Sequence, residues 1–219
     1  GILQAGIQSI ADRYTYLPSI GILILFAWES LYLISKNKTR KYILILLTIV
    51  ILVVLTLLTR QQSKHWKDSY SIFSHAIQVT KNNYVAHNNL GIVLASLGKN
   101  DQAIYHYREA LKINPSDDNA YSNLGIELDN QGKSKEANYY YKKSLDINPL
   151  NFAANYHLGN MFKEQGNMEN ALKHYLQAVK SFPYHADSHN NIGIIYETYF
   201  NKYEEAIDHY RQALKIDDE

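Results

Sequence analysis

Four polar side chains recur at a constant step of 34 residues in the C-terminal part of the sequence: Asn89, Asn123, His157 and Asn191. We call these four residues the polar ladder. A side-chain amide has both donors and an acceptor, so it can pair with the backbone of an extended peptide whatever the side chains of that peptide are. The same amides can instead bridge neighbouring helices, and His157 interrupts the series. The spacing predicts a peptide-binding ladder, with structural bridges as the alternative.

The other residues that could bind a metal ion or catalyse a reaction do not form a complete metal site or catalytic site. His185 and His189 have the i, i+4 spacing of a metal-binding pair on one helical face, but no neighbouring residue completes a ligand set. His106, His174 and His209 occupy equivalent positions in a repeated pattern, which favours a structural role. No glycine-rich phosphate loop, nucleophile elbow or pair of catalytic carboxylates occurs, and the chain has no cysteine. We therefore predict no metal site and no catalytic residue.

The ladder belongs to a longer pattern with the same step. Each unit has a glycine, then an alanine twelve or thirteen residues later, then an aromatic residue, and a proline closes the first three units. The glycines are Gly91, Gly125, Gly159 and Gly193, the alanines are Ala103, Ala137, Ala171 and Ala206, the aromatic residues are Tyr107, Tyr141, Tyr175 and Tyr210, and the prolines are Pro115, Pro149 and Pro183. Two antiparallel helices cross closely only where their side chains are small, so we expect the glycine and the alanine to meet at the crossing. The proline should end the second helix.

This pattern resembles the tetratricopeptide repeat, which is a pair of helices with a period of 34 residues. It predicts an all-α fold in which four repeats form a solenoid, at 84–117, 118–151, 152–185 and 186–219. The sequence departs from the repeat pattern at Ser144, where alanine is expected, and at Asp218, where proline is expected. The turn of the fourth unit also contains one inserted residue.

The register of the repeats continues upstream of the first unit. Phe73 and Ala76 lie 34 residues before the aromatic and small residues of the first repeat. Residues 62–82 are therefore predicted to form a half-repeat with a single helix, from about Trp66 to Val79. Because a repeat cannot bury its apolar face alone, this helix is expected to cap the open end of the array.

Residues 1–61 have a different composition and are predicted to be a membrane region. Residues 42–59 are eighteen uncharged and mostly aliphatic residues, which is long enough for a helix to cross a bilayer. Residues 18–35 are a second candidate span, apolar except for Glu29. The alternative is a pair of buried helices in a soluble domain, but this short chain has little other surface with which to cover them.

The charges around the two spans predict the topology. The short loop between them holds the densest positive cluster, which consists of Lys36, Lys38, Arg40 and Lys41. By the positive-inside tendency this loop is cytoplasmic, so the repeats are expected on the non-cytoplasmic side, in a bacterial periplasm or in the lumen of the endoplasmic reticulum. A glycosylation sequon at Asn37 lies in the same loop and would then stay unmodified.

The segment Ala11–Gly21, with the sequence ADRYTYLPSIG, resembles a signature of the transmembrane and tetratricopeptide repeat O-mannosyltransferase-like proteins. In that family the segment precedes the last membrane helices of a multi-spanning glycosyltransferase core, and a helix like Trp66–Phe73 leads into the repeats. The resemblance implies a polyprenyl or dolichyl phosphate-linked sugar donor and transfer to protein on the non-cytoplasmic side. The family's catalytic acid lies in an N-terminal loop with no counterpart here, so this chain by itself is expected to be non-catalytic and to hold no cofactor.

Asp12 and Arg13 are the charged pair before the first predicted span. They are candidates for contact with a lipid phosphate, because an arginine can hold a phosphate through two hydrogen bonds. The alternative is that Asp12 caps a helix or pairs with Arg13. Glu29, inside the first predicted span, is a further candidate polar site.

The chain begins at Gly1, and we expect it to be the C-terminal part of a longer protein. The pattern predicts a membrane-anchored domain that binds proteins or extended peptides, as the acceptor- or partner-docking arm of a protein O-glycosyltransferase that uses a lipid-linked sugar. Residues 83–219 carry eighteen acidic and thirteen basic side chains, which argues against nucleic acid as a partner. The alternative is a membrane-tethered scaffold without glycosyltransferase association, and an upstream core of membrane helices would distinguish the two.

Overall fold

A computed structural model describes residues 38–63 and 68–217. This part of the chain holds ten α-helices and no strand: α1 (Lys38–Ser63), α2 (Ser69–Val79), α3 (Tyr84–Ser96), α4 (Asn100–Ile113), α5 (Asp118–Asn130), α6 (Ser134–Ile147), α7 (Phe152–Glu164), α8 (Met168–Ser181), α9 (Ala186–Thr198) and α10 (Tyr203–Asp217). The prediction of an all-α fold with a solenoid of helical repeats is confirmed. The contacts divide the chain into two units, residues 1–86 and 87–219.

Helix α1 is 26 residues long and contains the second predicted span, residues 42–59. Its aliphatic side chains are exposed, as at Ile43 (53%), Leu47 (51%) and Val53 (53%). Within the described ranges, no helix has the combined length and apolar character that crossing a membrane requires. The structure therefore gives no support to the prediction of two spans.

The candidates that precede α1 lie outside the described residues. These are the first predicted span at 18–35 with its Glu29, and the pair formed by Asp12 and Arg13. Trp66, the expected start of the half-repeat helix, also lies outside them.

Helix α2 lies in the segment that was predicted to be a half-repeat, and it begins at Ser69. Asp68 caps it, because its Oδ1 atom accepts hydrogen bonds from the backbone N–H of Ser71 (2.8 Å) and from the hydroxyl of the same residue (2.9 Å). Such a cap satisfies a backbone donor that the first turn leaves unpaired, and it determines where the helix begins. That α2 caps the repeat array stays a prediction.

Two helices lie in each of the four predicted repeats. The first helices are α3, α5, α7 and α9, and the second helices are α4, α6, α8 and α10. In repeats two to four, both helices of a repeat pack on each other, and the first helix also packs on the second helix of the preceding repeat. First helices contact one another as well, as α5 and α7 do. Each repeat thus buries its apolar side chains against its own partner helix and against its neighbour, as a stacked array requires.

The recurring glycines make room for the aromatic residue of the second helix. A Cβ atom on Gly125 would lie 2.6 Å from Cε1 and 2.7 Å from Cδ1 of Tyr141. The same contact recurs in the other repeats, between Gly91 and Tyr107, Gly159 and Tyr175, and Gly193 and Tyr210. We expected the glycine to meet the first alanine of its repeat, but the atoms nearest to it are those of the tyrosine ring. Glycine is needed because the ring lies directly against the backbone of the first helix.

The turn between the helices of a repeat needs a left-handed residue. Gly98, Gly132 and Gly166 provide it in the first three repeats, with φ of 71°, 74° and 74°. In the fourth repeat the inserted residue moves this position to Asn201, with φ of 56°. Asparagine is one of the few residues besides glycine that adopt this conformation readily. The insertion therefore keeps the turn geometry and changes only the residue type.

Ser144 is the departure from the repeat pattern that the structure explains. Its side chain is fully buried, and its hydroxyl donates a hydrogen bond to the backbone carbonyl of Asp118 at 2.9 Å. A buried hydroxyl needs such a partner, and this one joins the end of α6 to the start of α5. The second helices α4, α6 and α8 each end two residues before a proline, as predicted.

Candidate functional site

The polar ladder places one residue in each first helix. Asn89 lies in α3, Asn123 in α5, His157 in α7 and Asn191 in α9, and all four side chains are half-buried. The residue that follows each of them is apolar and buried, as Leu124 and Ile192 are. The ladder therefore runs along the edge of the apolar core, where a side chain can contact both neighbouring helices and solvent.

Asn123 connects the first helices of repeats one and two. Its Nδ2 atom donates a hydrogen bond to Oδ1 of Asn88, which lies on α3, at 3.1 Å. A side-chain amide has two N–H donors and an oxygen with two lone pairs, so this bond uses only part of its hydrogen-bonding capacity. The contact orients the amide and leaves its oxygen and second N–H as further hydrogen-bonding groups.

Asn191 makes the corresponding connection between repeats three and four. Its Oδ1 atom accepts a hydrogen bond from Nζ of Lys163, on α7, at 2.9 Å. Because the donor is an ammonium group, this hydrogen bond is stronger than one between two neutral groups. Two of the three ladder asparagines thus form bridges between helices, which was the alternative that the sequence left open.

His157 has a more apolar environment than the asparagines. Its ring stacks on Tyr141 of the preceding repeat, with centroids 5.6 Å apart and an interplanar angle of 9°. Burial lowers the pKa of His157, and the carboxylate of Asp129 partly opposes this effect. A neutral imidazole has one hydrogen-bond donor and one acceptor. His157 can therefore both donate and accept hydrogen bonds, as an amide at this position would.

The tyrosines of the second helices add polar contacts that the sequence pattern does not predict. The hydroxyl of Tyr175 donates to Oδ1 of Asn160 at 2.6 Å, and that of Tyr210 donates to Oε2 of Glu197 at 2.7 Å. Both acceptors lie on first helices, so these bonds hold the two helices of a repeat together. The acceptors occupy different positions relative to the repeat glycine, and the sequence pattern therefore could not reveal them.

Repeat two lacks the corresponding hydrogen bond. The hydroxyl of Tyr141 and the Oε2 atom of Glu127 are both buried, and neither has a hydrogen-bond partner among the described residues. Burial raises the pKa of the Glu127 carboxyl group. Leaving such groups unpaired costs stability, so this repeat contains a local polar defect.

The two histidines with metal-like spacing do not act as a pair. The Nδ1 atom of His185 accepts a hydrogen bond from the backbone N–H of Ser188 at 3.1 Å and caps α9. His189 instead contacts the carbonyl oxygen of Pro183 and the ring of His209. Over the ranges the structure describes, no group of three or more histidine, cysteine or acidic residues could hold a metal ion.

An open cavity of about 480 Å³ lies on another part of the array. It is lined by Asp118, Asn119, Asn148, Leu150, Asn151, Phe152, Ser181 and Phe182. Two of these residues, Asn148 and Asn151, donate hydrogen bonds to the carboxylate of Asp118 at 2.7 Å and 2.9 Å. The polar wall is thus already paired internally, and no ladder residue lines this cavity.

Three family models match the repeat region. A tetratricopeptide repeat model matches residues 151–219, a TPR repeat model matches 91–126, and a second tetratricopeptide repeat model matches 118–149. Among solved structures, MamA gives a TM-score of 0.55 at 18% identity and covers 73% of this chain and 93% of its own. Pseudomonas aeruginosa pilF gives 0.54 at 24% identity and covers 61% of this chain and 60% of its own. At these identities the likeness shows the fold alone.

Curated relatives match the same region. Human protein O-mannosyl-transferase TMTC1 is 35% identical over 107 residues, which are 48% of this chain and 12% of the human protein. Drosophila melanogaster protein O-mannosyl-transferase Tmtc2 is 33% identical over 106 residues, which are 48% of this chain and 11% of the fly protein. The match therefore spans only a small part of these relatives. Tetratricopeptide repeat models thus match residues 91–149 and 151–219, and this repeat region is similar to that of the protein O-mannosyl-transferases.

Proposed function

We propose that the repeat array binds extended peptide segments of partner proteins along the polar ladder. The observation that carries this proposal is the placement of one half-buried polar side chain at the equivalent position of every first helix. A peptide backbone has alternating N–H and C=O groups, and side-chain amides can pair with both. Binding of this kind depends on the backbone and tolerates different side chains in the partner.

The bridges between repeats make the ladder a better binding surface. Asn123 and Asn191 are each held by a neighbour on the preceding first helix, so their amides are already oriented before a peptide arrives. A side chain that is ordered in advance loses less conformational entropy on binding. The two alternatives from the sequence are therefore compatible, since one end of each amide bridges helices and the other end contacts the peptide.

The similarity to protein O-mannosyl-transferases supports a more specific role. In this role the array is the docking arm of a protein O-glycosyltransferase and binds either the acceptor or another partner protein. The sugar donor, linked to polyprenyl or dolichyl phosphate, and the transfer reaction belong to the whole protein. We assign no step of sugar transfer to a residue of this chain.

Attachment to a membrane through residues 18–35 and 42–59 is part of the same proposal. The exposed aliphatic side chains of α1 support it, because they would favour an apolar environment over water. The proposal also includes a contact of Asp12 and Arg13 with a lipid phosphate, and a non-cytoplasmic position of the array. A reporter fused after Glu219 should then behave as external, and activity of the reporter in the cytoplasm would contradict the topology.

Peptide binding can be tested by replacing the ladder asparagines. The triple substitution Asn89→Ala, Asn123→Ala and Asn191→Ala should weaken binding of an unstructured peptide rich in serine and threonine by about ten-fold to a thousand-fold, at about 0.5 to 1.5 kcal/mol for each amide. Isothermal titration calorimetry on the full chain, without a sugar donor, measures this loss. Equal affinity of the wild type and the triple variant would leave the ladder with a structural role only.

A matched pair of single variants separates binding from bridging. Asn88→Ala removes the partner of Asn123 and keeps the ladder amide, whereas Asn123→Ala removes both the bridge and the amide. We expect both variants to lose a similar amount of stability, and we expect Asn123→Ala to lose more peptide affinity. Equal losses of affinity in the two variants would show that only the bridge matters.

A further inference from the structure

Three isoleucine side chains lie beside the polar ladder, in the first, second and fourth repeats. Each directly follows the repeat glycine and lies three residues after the ladder residue of its repeat, so both are on the same side of the first helix. Ile92 is 46% exposed and Ile194 is 40% exposed, whereas Ile126 is half-buried. We call these three residues the isoleucine row.

Packing of the repeats does not need an apolar side chain at this position. Ile195 directly follows Ile194, but it is 1% exposed and belongs to the core. Adjacent residues of a helix point in directions about 100° apart, so the core takes up Ile195 and leaves Ile194 facing solvent. An exposed apolar surface that is bordered by polar side chains is typical of a site where a partner binds.

The third repeat has a polar residue, Asn160, at the position of the row. Its Oδ1 atom accepts a hydrogen bond from the hydroxyl of Tyr175 at 2.6 Å. Its Nδ2 group can donate to a polar side chain of a partner, whereas an apolar side chain placed against it would exclude water from these N–H groups without replacing it. From the first repeat to the fourth, the surface is therefore apolar, apolar, polar and apolar.

We propose that the isoleucine row determines which peptides the array prefers, namely segments in the polyproline II conformation with an apolar residue at every third position. This inference rests on the proposed binding along the polar ladder and adds a sequence preference to it. First helices of adjacent repeats are in contact, as α5 and α7 are, and packed helices lie about 8 to 10 Å apart. A polyproline II segment has three residues per turn and rises about 3.1 Å per residue, so it advances about 9 Å per turn.

The match between these distances gives the pattern of the preferred segment. Every third side chain of a polyproline II helix points the same way, so one side chain per turn faces one repeat. Two apolar residues, three positions apart, contact Ile92 and Ile126. A polar residue follows opposite Asn160, and an apolar residue follows opposite Ile194. The backbone of this conformation has no internal hydrogen bonds, so its N–H and C=O groups are available to the ladder amides.

Isothermal titration calorimetry of the full chain with three synthetic peptides tests the proposal. All three have the same composition of leucine, serine, threonine and proline. Two have leucines at i, i+3 and i+9 or at i, i+6 and i+9, for the two directions in which a segment can lie along the row, and the third has three adjacent leucines. We expect one of the first two to bind at least about ten-fold more tightly than the third. Equal affinities of all three peptides would contradict the proposal.

A double variant, Ile92→Ser with Ile194→Ser, should bind the preferred peptide about as weakly as the peptide with adjacent leucines. Ile207→Ser is the matched control, because Ile207 is also 40% exposed but lies on the second helix α10. The control should keep the full preference, and far-UV circular dichroism checks that both variants keep their helices. An unchanged preference in the double variant, or an equal loss of preference in the control, would contradict the role of the row.

The same peptides separate this proposal from the ladder proposal. The triple alanine variant of the ladder asparagines should weaken binding of all three peptides by a similar factor and keep the ratio between their affinities. Failure of the ladder would appear as equal affinity of the wild type and the triple variant for each peptide. Failure of the row would appear as equal affinity of the wild type for all peptides. Absence of binding to any of them would contradict both proposals.

Discussion

Helix α1 and the repeat helix α5 both contain long aliphatic side chains, but these have opposite surroundings. In α1, Leu52 is 45% exposed and Leu57 is 61% exposed. In α5, Leu124 and Leu128 are 0% and 1% exposed, because α6 and the neighbouring repeats cover them. The comparison shows that apolar composition does not by itself define a core, and that a helix needs partner helices to bury its side chains.

The largest expected difference is between truncation of a leucine in α5 and truncation of a leucine in α1. Leu124→Ala should lower the free energy of unfolding by about 2 to 5 kcal/mol, since it removes buried methyl groups and leaves a cavity. Leu52→Ala should change it by less than about 0.5 kcal/mol, because its side chain is exposed. Thermal unfolding followed by circular dichroism measures both. A large loss of stability for Leu52→Ala would mean that α1 is buried against protein.

The second prediction concerns the close contact between Gly125 and Tyr141, for which α1 has no counterpart. Gly125→Leu should destabilise the array by about 1 to 3 kcal/mol, because the new side chain needs the space of the tyrosine ring. Combining Gly125→Ala with Tyr141→Leu should cost less than the sum of the two single changes. Additive costs would show that the ring and the glycine are not coupled.

Lowering the pH should reduce the stability of the repeats and not that of α1. Burial lowers the pKa of His157 and of His174 below the usual value of about 6.5. The unfolded chain therefore binds more protons than the folded one just below that pH, so stability is complete above about pH 6.5 and is lost as the pH falls. Residues 38–63 contain no histidine. The melting temperature of the repeats should be lower at pH 5.5 than at pH 7.5, and His157→Phe should reduce the difference.

The smallest expected effect compares two buried tyrosines of the repeats. Tyr141→Phe removes a hydroxyl that has no partner and should be neutral or stabilising by up to about 1 kcal/mol. Tyr175→Phe breaks the hydrogen bond to Asn160 and should cost about 0.5 to 1.5 kcal/mol. Chemical denaturation gives both values. Destabilisation of similar size in the two variants would show that the Tyr141 hydroxyl is hydrogen-bonded in solution.

Much of the repeat fold could be predicted from the sequence because it depends on local rules. The prolines mark the ends of the second helices, and the glycines mark a close approach of the two helices of a repeat. That the tyrosine ring, and not the alanine, lies nearest to the glycine became clear only from the structure. The position of Asn201 follows less directly, since an inserted residue moved the left-handed turn by one position. The partners of the tyrosine hydroxyls could not be predicted, because they depend on which side chain of the first helix lies within reach.

The candidate site, too, could be predicted only in part from the sequence. The sequence placed the ladder residues at equivalent positions, but the contact of Asn123 with Asn88 and that of Asn191 with Lys163 connect different repeats. Such contacts depend on how the first helices of neighbouring repeats are shifted and rotated relative to each other. The contact between His189 and His209 shows this most clearly, since these residues are 20 positions apart and meet only because α9 packs on α10.

By itself, the sequence determined the period, the helical class and the ends of the second helices in the first three repeats. These follow from backbone sterics and from the burial of apolar side chains at a regular spacing, which act within one or two helices. Only the tertiary structure decided which polar groups are paired across repeats, which remain buried without a partner, as at Tyr141 and Glu127, and which histidines meet. The physical reason is that a hydrogen bond requires a separation near 3 Å between particular atoms, and helix packing determines that separation.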